Sequence, residues 1–84
     1  MAGNRVDFNT YVKLALGHAQ VEPEGNEWFA EIPGFTGVWA VGTNREMALR
    51  ELEGVLREWL QLKLEAGDQD IPEVNRATLA SSPT

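Results

Sequence analysis

Between Glu27 and Ile32 the chain alternates strictly, with Trp28, Ala30 and Ile32 on one side and Glu27, Phe29 and Glu31 on the other. A period of two is the signature of a half-buried strand. Pro33-Gly34-Phe35-Thr36-Gly37 then makes a wide turn, and Val38–Val41 is a return strand ended by Gly42. Upstream, Ala19–Glu22 reads as a short strand stopped by Pro23. Residues 23–26 form a turn in which Gly25 or Asn26 takes φ > 0. A turn as wide as 33–37 leaves the register of the return strand open by one residue, and a slip of one exchanges the faces of Val38 and Trp39. If the small Val38 and Ala40 face the covering helix, Trp39 and Val41 join Phe29 on the opposite face. The alternative makes Trp39 a lid over the first helix.

Two stretches repeat at the helical period instead. In the first, capped by Asp7 or Asn9 and running to about Ala19, the residues Phe8, Val12, Ala15, Leu16 and Ala19 gather on one side, with Tyr11 at the edge. In the second, Thr43 and Glu46 have capping-box spacing, and the helix continues to about Ala66. Its apolar stripe is Ala48, Leu49, Leu52, Val55, Leu56, Trp59, Leu60 and Leu62. Glu46–Arg50 and Glu53–Arg57 are i,i+4 pairs in the favourable order, worth a few tenths of a kcal/mol each. Gly67 supplies the stop. Asp68–Pro72 turns back, and Ile71–Val74 can add a short edge strand. Residues 1–6 and the small polar run from Asn75 onward read as loose ends. The fold class is therefore α+β: a small antiparallel sheet of three to four strands packed on a long helix, with a short N-terminal helix. One domain spans 1–84, its core at about 8–74 and a tail at 75–84.

Composition narrows the function. With 84 residues the core is thin, and self-association would give a half-buried sheet face somewhere to go. There is no cysteine, hence no disulfide framework or thiolate metal site, which fits an intracellular protein. No apolar run is long enough to span a bilayer, and MAGNRVDFNT lacks the apolar core of a secretory signal, so a cytoplasmic location is expected. A net charge of −6, with seven basic residues scattered along the chain, argues against direct nucleic-acid binding. It suits a basic protein partner, whose association it would steer.

Candidate chemistry is sparse. The single His18, near a helix end, reads as a surface or capping residue, since no Ser, Cys or second His stands at a relay spacing. Glu22, Glu24, Glu27 and Glu31 lie on or beside the hairpin, but acid–base or Mg²⁺ chemistry needs a pocket or further ligands. Gly34 and Gly37 open a strand rather than a helix and make no phosphate loop. No catalytic residue, metal ligand or cofactor is implied, and the chain is read as a non-enzyme. Trp59 and Trp28 are expected in the core. The residues expected to bind a partner or a second copy are Phe29, Trp39 and Val41, flanked by Glu27 and Glu31.

The segment Trp28-Phe29-Ala30-Glu31-Ile32-Pro33-Gly34-Phe35-Thr36-Gly37-Val38, followed by Gly42-Thr43 and the helix with Ala48, Leu49 and Leu52, resembles the HicB antitoxin family over roughly residues 19–74. The resemblance implies a partial ribonuclease-H-like fold and a protein that neutralises a small basic ribonuclease toxin by binding it, commonly as an oligomer, here a dimer or tetramer. Many members add a C-terminal DNA-binding module. Only NRATLASSPT follows the matching segment here, so operator binding is not expected of it. The N-terminal helix is a second departure, since the usual member begins directly with a strand. The resemblance points to a short stand-alone branch. The other readings are an orphan oligomer without a toxin and a small hydrolase or nuclease acting through the hairpin carboxylates.

Overall fold

A computed structural model describes residues 4–67, 71–75 and 77–79. The order is β1 (Asn4–Val6), α1 (Phe8–Leu16), β2 (Gln20–Glu24), β3 (Glu27–Glu31), β4 (Trp39–Gly42), α2 (Arg45–Glu65) and β5 (Ala77–Leu79). The main sheet is antiparallel in the order β2-β3-β4, and α2 lies across one face of it. The α+β architecture inferred from patterning is the one observed, with three strands, the long helix and the short N-terminal helix.

The β2–β3 hairpin closes through Gly25-Asn26, with Glu24 opposite Glu27, and Gly25 takes φ 65°. A positive φ at the first central position suits a two-residue hairpin turn. Pro23 does not stop β2 but sits within it, opposite Trp28. The physical reason is the hairpin's phase. A two-residue turn makes Glu24–Glu27 a hydrogen-bonded pair, so Pro23 falls at the next, non-hydrogen-bonded pair and its missing N–H faces outward from an edge strand.

The β3–β4 register pairs Phe29 with Val41, Ala30 with Ala40 and Glu31 with Trp39. This resolves the one-residue ambiguity of the 33–37 turn, where Gly34 and Gly37 both have positive φ. Val38, Ala40 and Ala30 are buried beneath α2 together with Ile32. Gly42 shows why the helix can start so close: a Cβ there would stand 2.3 Å from the Ala48 nitrogen.

On α2 the rows Ala48, Leu52, Leu56 and Leu60 are all fully buried. Leu49, Val55 and Trp59 flank them half-buried, whereas Leu62, expected in the stripe, is 61 % exposed. A step of four keeps the central row on the sheet, and Leu62 lies outside it. The cap also differs from the expected capping box. Asn44, in extended conformation, accepts a 2.8 Å hydrogen bond from the Met47 N–H, so Thr43 is outside the helix and Glu46 is one residue short of the box position. Glu53–Arg57 closes at 2.9 Å. Gly67, at φ 70°, ends the helix as anticipated.

α1 ends at Leu16 rather than Ala19, with Gly17 as C-cap. Tyr11, placed at the edge by the helical wheel, is fully buried. It meets Phe35 edge-on at 6.4 Å, and its hydroxyl donates to the Pro72 carbonyl. Phe35 in turn meets Trp59 at 5.4 Å, so a residue read only as part of a turn joins α1 to α2. Trp28 and Trp59, expected in the core, lie half-buried at its margin. Arg57 adds a polar tie, reaching Asn9 Oδ1 at 2.9 Å and lying over the Phe8 ring.

The chain ends depart furthest from expectation. Asn4–Val6 and Ala77–Leu79, read as loose, pair as parallel strands in a second, two-stranded sheet. The expected strand at Ile71–Val74 does not form; Val74 instead makes a bridge to Ala77 across a tight turn in which Asn75 takes φ 50°. The remaining expected loose residues, 1–3, 76 and 80–84, and the start of the 68–72 turn lie outside the described residues.

Candidate protein-binding face

The register that buries Ala30 and Ala40 sends their neighbours to the other side of the sheet. There Phe29 stands opposite Val41 and Trp39 opposite Glu31. The Phe29 and Trp39 rings stack at 6.0 Å with 26° between planes. Trp39 is 54 % and Val41 38 % exposed, and neither is covered by a described helix. A large aromatic left in water beside a second aromatic and a β-branched residue is an apolar patch of the kind that interfaces use.

The same alternation surrounds the patch with acid. Across β2 and β3 the open face carries Glu22 opposite Phe29, Gln20 opposite Glu31, and Glu24 opposite Glu27. Four carboxylates and no cation thus share the face of these strands with the aromatics. Like charges placed opposite one another, as at Glu24–Glu27, do not stabilise a hairpin. Their arrangement does suit a cationic surface laid over them. All five residues singled out from the sequence, Phe29, Trp39, Val41, Glu27 and Glu31, lie on this face. The pattern did not single out Glu22 and Glu24 as members of it, although the period-two rule extended through Pro23 would have placed them there.

Elsewhere the side chains offer little chemistry. His18 is exposed and shares a 2.9 Å hydrogen bond with Asn75 Oδ1, tying the end of α1 to the segment before β5. It borders a shallow cleft of about 310 Å³ with Gln20, Pro33, Phe35, Glu73 and Asn75. Among the described residues no group of three or more His, Cys, Asp or Glu stands close enough to hold a metal ion. No described helix is long and apolar enough to cross a membrane. Among the described residues two titrating groups are displaced, neither on the open face. Burial pushes the Tyr11 phenol up to about 12. The neighbouring Thr10 hydroxyl holds the Asp7 carboxyl below its usual range.

Comparison with known proteins places this geometry. No curated protein matches the chain. Among solved structures, the crystal structure of TTHA0281 from Thermus thermophilus superposes with a TM-score of 0.66 at 29 % identity, covering 71 % of this chain and 76 % of the other. Residues 10–72, from the first turn of α1 to beyond the end of α2, match the family model described as UPF0150-like. The chain therefore belongs to the UPF0150-like family, a family of HicB-like domains found in toxin–antitoxin contexts.

Proposed function

We propose that this protein is an antitoxin-type binding protein, not an enzyme, and that its open sheet face covers a small basic ribonuclease. The observation that carries the proposal is the exposed Trp39, stacked on the half-buried Phe29 beside Val41 and set among Glu22, Glu24, Glu27 and Glu31. Aromatic anchors supply most of an interface's binding energy, and the surrounding charge selects the partner and speeds encounter. The net charge of −6 extends the same preference over the whole molecule. Family membership agrees with this reading.

The test is affinity purification of the tagged protein from its own cells, side by side with the Glu27→Lys/Glu31→Lys variant. A small basic protein should accompany the wild type in stoichiometric amount and be missing from the variant. Its ribonuclease activity should be silent in the complex and appear on dissociation. If no basic protein accompanies the wild type, or if it stays with the charge-reversed variant, the proposal fails. Metal-dependent nuclease activity in the purified protein, lost on Glu31→Gln, would instead establish the hairpin carboxylates as an active site.

A further inference from the structure

The two edges of the main sheet are built differently. In antiparallel strands, alternate residues direct their backbone groups toward one neighbour or the other. The two-residue turn at Gly25-Asn26 makes Glu27, Phe29 and Glu31 bond to β2, so Trp28 and Ala30 bond to β4 through their partners Gly42 and Ala40. The N–H and C=O groups of Trp39 and Val41 therefore point outward from β4, where the sheet has no further strand among the described residues. At the opposite edge, Val21 and Pro23 point outward from β2, and Pro23 has no N–H to offer. Proline and charge are the usual devices that stop an edge from pairing with another chain. β2, with Glu22, Pro23 and Glu24, has both. β4 has neither: from Val38 to Thr43 the sequence is Val-Trp-Ala-Val-Gly-Thr, without a charge or a proline.

We infer that the β4 edge pairs with the β4 edge of a second copy of this chain, in antiparallel register with Trp39 opposite Val41 of the other copy. Electrostatics selects the occupant. A second copy also carries −6, so face-to-face packing would oppose two sets of four carboxylates, whereas edge-to-edge pairing joins the two uncharged strands. Geometry agrees. This register sets the outward-pointing Trp39 and Val41 groups against each other, and strand addition of this kind takes its affinity from main-chain hydrogen bonds. It keeps each aromatic cluster on the same side of a continuous six-stranded sheet and brings Ala40 against Ala40 on the helix side, where small side chains leave room for the two α2 helices. The contact is isologous and closes at two copies. It goes beyond the basic-partner reading, because it leaves the open face free and widens it.

Light scattering and backbone amide exchange on the purified wild type test this. The protein should be a dimer, and the Trp39 and Val41 amides should be protected only in it. A hundredfold increase in concentration should slow their exchange by about tenfold, following the fall in the monomer fraction by mass action. The Ala40 and Gly42 amides, bonded to β3, should not respond. Val41→Pro removes an outward N–H and should give a folded monomer. Glu27→Lys/Glu31→Lys, expected to lose the basic partner, should leave the dimer intact. A strict monomer overturns the inference. So does a dimer in which the Trp39 and Val41 amides exchange at concentration-independent, open-edge rates, a result that can be read even if Val41→Pro fails to fold. A wild type that is a strict monomer yet still carries its basic partner would refute this inference alone.

Discussion

The two faces of one three-stranded sheet carry opposite assignments. On the side of Val38, Ala40 and Gly42 the residues are small, and α2 approaches until its backbone at Ala48 nearly touches the strand. On the side of Phe29, Trp39 and Val41 they are large, and no described helix covers them. On β4 the smaller side chains lie on the face that folds the protein and the larger ones on the face it leaves open, while Trp28 of β3 packs at the margin of the covered face. Size and hydrophobicity alone would have reversed the assignment. A sheet face is a core only if a second layer can reach it, and close approach needs small residues on one of the two layers. The difference is what supports reading the exposed Trp39 as part of a binding surface.

Substitutions on the two sides should separate sharply. The largest loss is expected at the centre of the covered face: Leu56→Ala, at a fully buried site, should lower the unfolding free energy by about 3 kcal/mol in urea denaturation. Gly42→Ala should cost about 2 kcal/mol or more, because the new methyl meets the backbone of Met47 and Ala48 and no side chain can give way. The buried Tyr11 sets an alkaline limit. Its phenol titrates near 12 in the folded protein against 10 when unfolded, so the stability it contributes is complete below pH 10 and is lost as pH rises from 10 toward 12. That loss is on the order of 2 kcal/mol and should be absent in Tyr11→Phe, as thermal melts across this range will show. Smallest of all, Trp39→Ala should change stability by under about 1 kcal/mol, since it forfeits only one exposed stacking contact. A larger effect from Trp39 than from Leu56 would break the division between the faces.

Much of this division was legible in the chain. The strict alternation from Glu27 to Ile32 assigned both faces of β3, and the four-residue rows of α2 gave the covering layer. The register of β4 was not legible from the turn, whose two left-handed glycines accommodate either phase. It follows instead from the fit of Val38, Ala40 and Gly42 beneath the helix. The burial of Tyr11 and Phe35 is hard to read because it depends on a chain of ring contacts, Tyr11 to Phe35 and Phe35 to Trp59, between segments far apart in sequence. The β1–β5 pair was illegible for a plainer reason: strands of three residues are too short to show a period, and their pairing joins opposite ends of the chain. Pro23 misled because proline ends a central strand but is tolerated on an edge, and only the hairpin phase tells the two apart.

The central claim is that the Trp39 face is the one that meets the basic partner. Its most direct measurement is hydroxyl-radical footprinting of the three tryptophans in protein purified natively from its cells, before and after the partner is stripped with about 1 M salt, which screens charges beyond roughly 3 Å. Trp39 oxidation should rise severalfold on stripping, while Trp28 and Trp59 stay unchanged. Equal oxidation of Trp39 in both states, with protection found at Trp59 or on the exposed side of α2 instead, would contradict the account.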